Sequence, residues 1–228
     1  MPDDAVSAGR HQPRSGRPDH GGDTGGMGRE FPMMSAETND RMTRVGPGTP
    51  AGKLLRKYWQ PVALTEELSP ERPLAPVRVM GQQLVLFRDE RGRHGLLERH
   101  CPHRGADLAF GRLEDGGLRC VFHGWLFDVE GKCLETPAEP EGSRLFTRIL
   151  HTSYPVRERN GILFAYLGGD DPPAFPEFDC FVAPGSHTFA FKGFMECNWL
   201  QARVGSVCPF MRHLAGSVLR TSGSALRL

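Results

Sequence analysis

Four metal-binding side chains stand in two close pairs near the middle of the chain, and this pattern constrains the fold more than any other feature. The first pair is Cys101 and His103, the second is Cys120 and His123, and sixteen residues separate them. Each pair combines a thiolate with an imidazole, and a tight turn can aim both side chains at one point. The spacing therefore predicts a compact metal centre between two facing loops.

Glycines stand where such loops need unusual backbone conformations. Gly105 follows the first pair, Gly124 follows the second, and residues 116–117 are both glycine on the connecting hairpin. Glycine tolerates positive φ and lets amide N–H groups approach a bound cluster closely. The flanking residues therefore fit the predicted centre.

The mixed composition of the two pairs favours iron and sulfur over zinc. Common structural zinc sites pair cysteine with cysteine and histidine with histidine along the chain, whereas each turn here holds one of each. Mixed turns fit a [2Fe-2S] cluster in which two thiolates hold one iron and two neutral imidazoles hold the other. We therefore predict that Cys101, His103, Cys120 and His123 bind this cofactor and are its metal ligands; no catalytic residue is assigned. A zinc-binding structural domain is the alternative.

The residues around the quartet resemble those of a known family. Residues 101–108 (Cys-Pro-His-Arg-Gly-Ala-Asp-Leu) and 120–127 (Cys-Val-Phe-His-Gly-Trp-Leu-Phe) resemble the Rieske motif of ring-hydroxylating oxygenases. Residues 43–50, 56–59 and 196–201 resemble the oxygenase α subunits related to phthalate dioxygenase. The resemblance covers about residues 34–202.

This resemblance implies a function. A Rieske domain would accept electrons from a reductase or ferredoxin and pass them toward a mononuclear Fe(II) for hydroxylation or demethylation of an aromatic compound. In the family the oxygenase subunits form a homotrimer, so a homotrimer is implied for this chain as well.

Strand and turn patterns predict a mainly β fold. A short helix is expected over residues 50–59, where apolar residues have helical spacing. Brief β-like segments separated by turn residues follow, at 77–80, 83–87, 95–98, 118–122, 125–129, 132–134, 154–158 and 162–167. Short strands at close intervals suggest an antiparallel barrel or sandwich. The resemblance implies a Rieske-type barrel or sandwich, followed by the truncated start of an α+β catalytic domain of helix-grip type.

The expected organisation along the chain has six parts. They are a disordered extension at 1–33, a helical segment at 34–60, the Rieske [2Fe-2S] domain at 61–168, a linker at 169–185, the start of a catalytic domain at 186–202 and a divergent tail at 203–228.

The sequence departs from the family pattern after Glu196. It contains no Asp or Glu beyond that point and one histidine, His213, whereas the family holds its mononuclear iron with two histidines and a carboxylate. The mononuclear site is therefore expected to be absent, and the tail is interpreted as a frame change or a truncated gene. A stand-alone Rieske electron carrier, or an inactive cluster-binding fragment, is the alternative function.

Composition argues against several partners. Lys and Arg number 28 and Asp and Glu number 27, so no strong field would attract nucleic acid or an anionic membrane. The longest apolar runs, such as 84–87 and 162–167, are far shorter than the roughly 20 residues of a membrane helix. Residues 1–30 lack the apolar region of a secretory signal, so we expect a cytoplasmic protein whose cysteines are ligands or buried thiols.

For other residues near the quartet, a structural interpretation and a functional interpretation are both open. Trp125 would either shield the cluster from water or belong to the core. Arginines near the loops would either dock an acidic electron donor or form a solvated surface, namely Arg78, Arg88, Arg91, Arg93, Arg99 and Arg104. The cysteines outside the quartet receive no role: Cys133, Cys180, Cys197 and Cys208.

Overall fold

Turn residues at short intervals divide the middle of the chain into brief antiparallel strands. The computed structural model describes residues 34–207. The strands of this part are β1 Gln60–Leu64, β2 Leu74–Val79, β3 Gln82–Arg88, β4 His94–Glu98, β5 Arg112–Glu114, β6 Gly117–Arg119, β7 Leu126–Phe127, β8 Cys133–Glu135, β9 Val156–Arg159 and β10 Ile162–Ala165. The predictions for residues 1–33, for Cys208, for His213 and for residues 208–228 of the divergent tail lie outside the described residues.

The strands of residues 34–207 form three antiparallel sheets. Their orders are β1-β10-β9, β2-β3-β4 and β5-β6-β7-β8. The predicted mainly β, antiparallel fold is confirmed. Within the described residues, these sheets do not close into a single barrel.

The helices of the described part are α1 Ala36–Thr43, α2 Pro50–Leu55, α3 Asp179–Val182 and α4 Trp199–Val207. The Thr49 side chain caps α2 by accepting from the N–H of Gly52 at 3.1 Å. We predicted a helix over residues 50–59, but α2 ends at Leu55. The chain then makes tight turns and enters β1 at Gln60, so the last residues of the prediction are not helical. Within the described residues, no helix has the length and apolar character needed to cross a membrane.

Strand β3 lies between the two buried clusters of the described residues. Val85 and Phe87 belong to a cluster that also contains Cys101, Cys120 and Trp125. Leu84 and Leu86, on the opposite face, belong to a second cluster. Burial on both faces explains why β3 is a continuous apolar run rather than an alternating pattern.

Two strands were not predicted, and the strands predicted at 118–122, 125–129, 154–158 and 162–167 are shorter than expected. Strand β1 contains Pro61, whose lack of an N–H is tolerated because β1 is an edge strand of its sheet. Strand β5 is three residues long and precedes a hairpin. The segment predicted at 118–122 leaves the sheet at Arg119, because Cys120 begins a loop.

Aromatic packing attaches the first part of the predicted linker to the sheet that contains β10. Phe175 is buried, and its ring centroid lies 5.7 Å from that of Trp59 and 5.0 Å from that of Phe164. The Trp59 indole N–H donates to the carbonyl of Pro173 at 3.0 Å. The exact domain boundaries at 168, 185 and 202 stay predictions.

Candidate metal centre

The first predicted ligand loop, residues 101–106 (loop 1), is closed by two backbone hydrogen bonds. The N–H of Cys101 donates to the carbonyl of Ala106 at 2.8 Å, and the N–H of Gly105 donates back to the carbonyl of Cys101 at 2.8 Å. Gly105 has a φ of +70°, which glycine adopts without steric cost. The loop therefore makes a sharp turn.

The second predicted ligand loop, residues 120–125 (loop 2), repeats this arrangement. The N–H of Cys120 donates to the carbonyl of Trp125 at 2.8 Å, and the N–H of Gly124 donates to the carbonyl of Cys120 at 3.1 Å. Gly124 has a φ of +75°. The two loops are thus matched in hydrogen bonding and in the position of the glycine, although their sequences share only the cysteine and glycine positions.

The structure brings the thiols of the two loops together. Cys101 and Cys120 are each only 3% exposed, and their thiols interact with each other. Burial, and after it the neighbouring Cys120, raise the pKa of the Cys101 thiol to about 11. The backbone N–H groups of His103 and Arg104 act in the opposite direction. A buried pair of thiols with such donors nearby fits a site that binds a cation and loses its protons in doing so.

The structure also brings the imidazoles of the two loops together. The ring centroids of His103 and His123 are 4.6 Å apart and the rings meet edge to face. Desolvation lowers the pKa of His123, and the charges of His103 and Arg104 lower it further. The neutral form of His123 is therefore favoured, and this is the form that binds a metal.

The donor set fits a two-iron cluster. It consists of one pair of thiols and one pair of imidazoles, which are the protein donors that the two irons of a mixed-ligand [2Fe-2S] cluster take. Within residues 34–207, no group of three or more His, Cys, Asp or Glu side chains is placed to hold one metal ion.

Aromatic rings pack against both imidazoles, in different ways. The indole of Trp125 lies parallel to the ring of His103, with an interplanar angle of 5° and a centroid distance of 4.5 Å. The ring of Phe122 lies 4.0 Å from that of His123 at 43° and is 60% exposed. Trp125 is buried in the core, as its structural interpretation expects, and the shielding of a cluster stays a prediction.

An ion pair missed in the sequence braces loop 1. Arg99 donates from Nε and Nη2 to the carboxylate of Asp107, with distances of 2.6 to 3.0 Å. Asp107 also accepts the N–H of Ala109 at 2.9 Å and so begins a short helical turn. The pair spans the loop from the residue two before Cys101 to the residue just after Ala106, which fixes both ends of the loop.

A second arginine braces loop 2. Arg119 donates from Nη1 to the carbonyl of Gly124 at 2.8 Å, and its guanidinium pairs with Glu114 and Glu135. The Arg119 side chain is 11% exposed. An arginine next to Cys120 in the sequence was the available signal, but the sequence does not identify its partners.

The proposed arginine docking surface is only partly free. Arg93 and Arg99 form ion pairs with Asp89 and Asp107, so they have structural roles within the domain.

Three of the cysteines to which the sequence assigned no role lie within the described residues. The Cys133 thiol is buried and donates to the carbonyl of Glu135 at 3.3 Å, whereas Cys180 and Cys197 are exposed.

Comparison with known proteins identifies the central region. A family model for the Rieske [2Fe-2S] domain matches residues 58–155. The tert-butanol monooxygenase / tert-amyl alcohol desaturase oxygenase subunit of Aquincola tertiaricarbonis is 49% identical over 195 residues, which are 85% of this chain and 41% of that protein. The phthalate 4,5-dioxygenase oxygenase subunit of Pseudomonas putida is 40% identical over 179 residues, which are 77% of this chain and 40% of that protein.

A solved structure is similar to the same region. The crystal structure of dicamba monooxygenase with non-heme iron and dicamba matches 57% of this chain and 39% of that chain, with 36% sequence identity and a TM-score of 0.50. The chain spans about two fifths of the length of these relatives.

Proposed function

Because this chain contains a Rieske [2Fe-2S] domain and is homologous to oxygenase subunits of Rieske non-haem iron oxygenases, we propose that it accepts electrons from a reductase or ferredoxin and passes them toward a mononuclear iron. The observation that carries this proposal is the pairing of two thiols and two imidazoles at the ends of matched loops. When bound, a Rieske cluster takes up and releases an electron at a potential raised by its neutral imidazole ligands.

Each pair of proposed ligands would hold one of the two irons. Cys101 and Cys120, as thiolates, would hold one iron in the buried part of the site. His103 and His123, as neutral imidazoles, would hold the other iron at the partly exposed end of the loops. An electron donor would approach this exposed end, because Phe122 and Arg104 at its rim are open to solvent.

The reaction of the whole oxygenase is a further part of the proposal. We propose an aromatic hydroxylation or demethylation, a homotrimeric assembly and a cytoplasmic location, in line with the resemblance of residues 34–202 to oxygenase α subunits. The relatives differ in substrate, since one is named for tert-butanol and another for phthalate, so the aromatic substrate rests on family resemblance.

Metal analysis tests the ligand assignment. Purified protein, reconstituted anaerobically, should contain two irons and two acid-labile sulfides per chain and give the EPR signal of a reduced Rieske cluster. His123→Ala and Cys120→Ser should lose the cluster, whereas Cys133→Ser, which changes another buried thiol of the same core, should keep it. Protein that stays colourless and binds zinc instead would contradict the assignment.

A stand-alone electron carrier is the second candidate, because the matched family model is that of the cluster-binding domain, at residues 58–155. Oxygen consumption separates the two candidates. Cluster-loaded, iron-replete protein with a reductase and an aromatic substrate should consume oxygen if the chain acts as an oxygenase. A pure carrier should be reduced by the reductase without any substrate-dependent consumption.

A further inference from the structure

The two predicted histidine ligands have unequal surroundings. His103 stacks flat on the buried indole of Trp125, whereas His123 contacts the exposed ring of Phe122 at an angle of 43°. A parallel contact at 4.5 Å restricts rotation and tilt of the imidazole more than an angled contact with a solvent-exposed ring. His103 therefore has the more rigid orientation of the two.

Trp125 is itself held firmly. Its side chain is 9% exposed and belongs to the buried cluster that includes Phe127, with which its ring lies at a centroid distance of 6.4 Å. Its carbonyl accepts the N–H of Cys120, and the next residue, Leu126, begins β7. The backbone of Trp125 thus belongs to loop 2 and directly precedes β7, while its side chain packs against an imidazole of loop 1.

We propose that Trp125 is a positioning residue that fixes the ring orientation of His103 across the two loops and excludes water from one face of that ligand. The proposal rests on the proposed assignment of His103 as a cluster ligand. Ring orientation sets the overlap between the imidazole nitrogen and the iron, and the apolar shell around a metal site controls solvent access and redox potential. Trp125 thereby tunes the cluster without binding it.

Two substitutions at this position give a graded test. Trp125→Phe keeps an aromatic face beside His103 but reduces its area, and Trp125→Leu removes the face. Phe87→Leu is the matched control, because Phe87 is a fully buried aromatic residue of the same cluster that packs against Gly95. All three variants lose core packing, so a purely structural role would affect them alike.

The decisive readouts are the nitrogen hyperfine couplings of the reduced cluster, measured by pulsed EPR, and its reduction potential. We expect the couplings of one histidine and the potential to change in Trp125→Leu, to change less in Trp125→Phe and to match the wild type in Phe87→Leu. If Trp125→Leu does not bind the cluster, the comparison of Trp125→Phe with Phe87→Leu tests the proposal. The proposal would be overturned if the Trp125 variants that bind the cluster have the same couplings and reduction potential as the wild type.

The same samples keep this proposal distinct from the proposed function. Wild-type protein without two irons and two sulfides would contradict the cluster assignment itself. If the wild-type protein binds the cluster and the Trp125 variants have the same couplings and potential as the wild type, only the positioning role is contradicted.

Discussion

The guanidinium of Arg119 donates to the carbonyl oxygen of Gly124 at 2.8 Å, so the residue before Cys120 holds the glycine that closes the same loop. Arg119 is nearly buried, and its other nitrogens face the carboxylates of Glu114 and Glu135. Loop 2 is therefore attached to the β5-β6 hairpin and to β8 through a single side chain.

Removal of this guanidinium should destabilise the domain. Arg119→Met keeps most of the apolar stem but removes the partner of the Gly124 carbonyl and of three carboxylates, those of Glu114, Asp115 and Glu135. Of these carboxylates, Glu114 still faces Arg112. We expect a loss of about 1–3 kcal/mol in the free energy of unfolding, because the carboxylates are partly solvated. Urea unfolding of the protein with bound cluster measures this loss of stability. Arg112→Met, at an exposed arginine that also faces Glu114, should cost less than about 0.5 kcal/mol.

The two loop glycines should respond differently to alanine. Both have positive φ, so an alanine at either position should cost about 1–2 kcal/mol in the free energy of unfolding. A Cβ at Gly105 would meet open space, whereas one at Gly124 would lie 3.2 Å from Cγ of Pro137. We expect Gly124→Ala to be the more destabilising and to hold less iron. Equal iron content and equal unfolding midpoints in the two variants would contradict this difference.

Protonation of His151 should weaken the fold at acidic pH. The side chain is 4% exposed and its Nε2 lies 2.8 Å from the carbonyl oxygen of Glu98. Burial lowers the pKa of His151, although the Glu98 carbonyl and carboxylate oppose this effect. As pH falls below about 6.5, the unfolded chain binds the proton first, so the folded state loses stability relative to its value at higher pH.

The measurement is the urea midpoint between pH 8 and pH 5. Wild-type protein should lose more stability over this interval than His151→Gln, which keeps an amide donor for Glu98 but does not titrate. His187→Gln, at an exposed histidine, should follow the wild type. Parallel profiles for the wild type and His151→Gln would show that His151 does not contribute to the pH dependence.

Gln82 should be important for attaching the helical segment to the sheets. Its amide oxygen accepts from Arg56 Nη1 at 2.8 Å, and its amide nitrogen donates to Glu98 at 2.6 Å and to the hydroxyl of Tyr154. Arg56 is 7% exposed, so Gln82→Leu would leave a buried guanidinium with fewer partners. We expect a loss of about 2–3 kcal/mol by urea unfolding. Gln83→Leu, one position along β3 and exposed, should change stability by less than about 0.5 kcal/mol.

Local features of the fold were predictable because their determinants lie in a few adjacent residues. Asn160 and Gly161 both adopt positive φ, and the strands that they join pair from Arg159 with Ile162 as the turn signal indicated. The cysteine and histidine spacing likewise predicted two facing turns, since each pair is confined to one loop.

Contacts between distant segments were not predictable from local pattern. The stacking of Trp125 on His103 and the packing of Phe175 against Trp59 depend on how the loops and sheets come together. An aromatic residue in a strand is equally compatible with many partners, and Pro61 concealed an edge strand. Tertiary packing, rather than residue preference, determines these features.

The pairing of β1 with β10 has a mechanical consequence. Gln60, the first residue of β1, faces Ala165, the last residue of β10. Tension applied through the segments that precede Gln60 and follow Ala165 would first load the hydrogen bond from Trp59 to Pro173 and then open the hydrogen bonds of this ladder one after another. Force from the neighbouring segments would thus detach the edge strand β1 from β10 early. The loops that carry Cys101 and Cys120 lie in other connections, so they would not be affected at first.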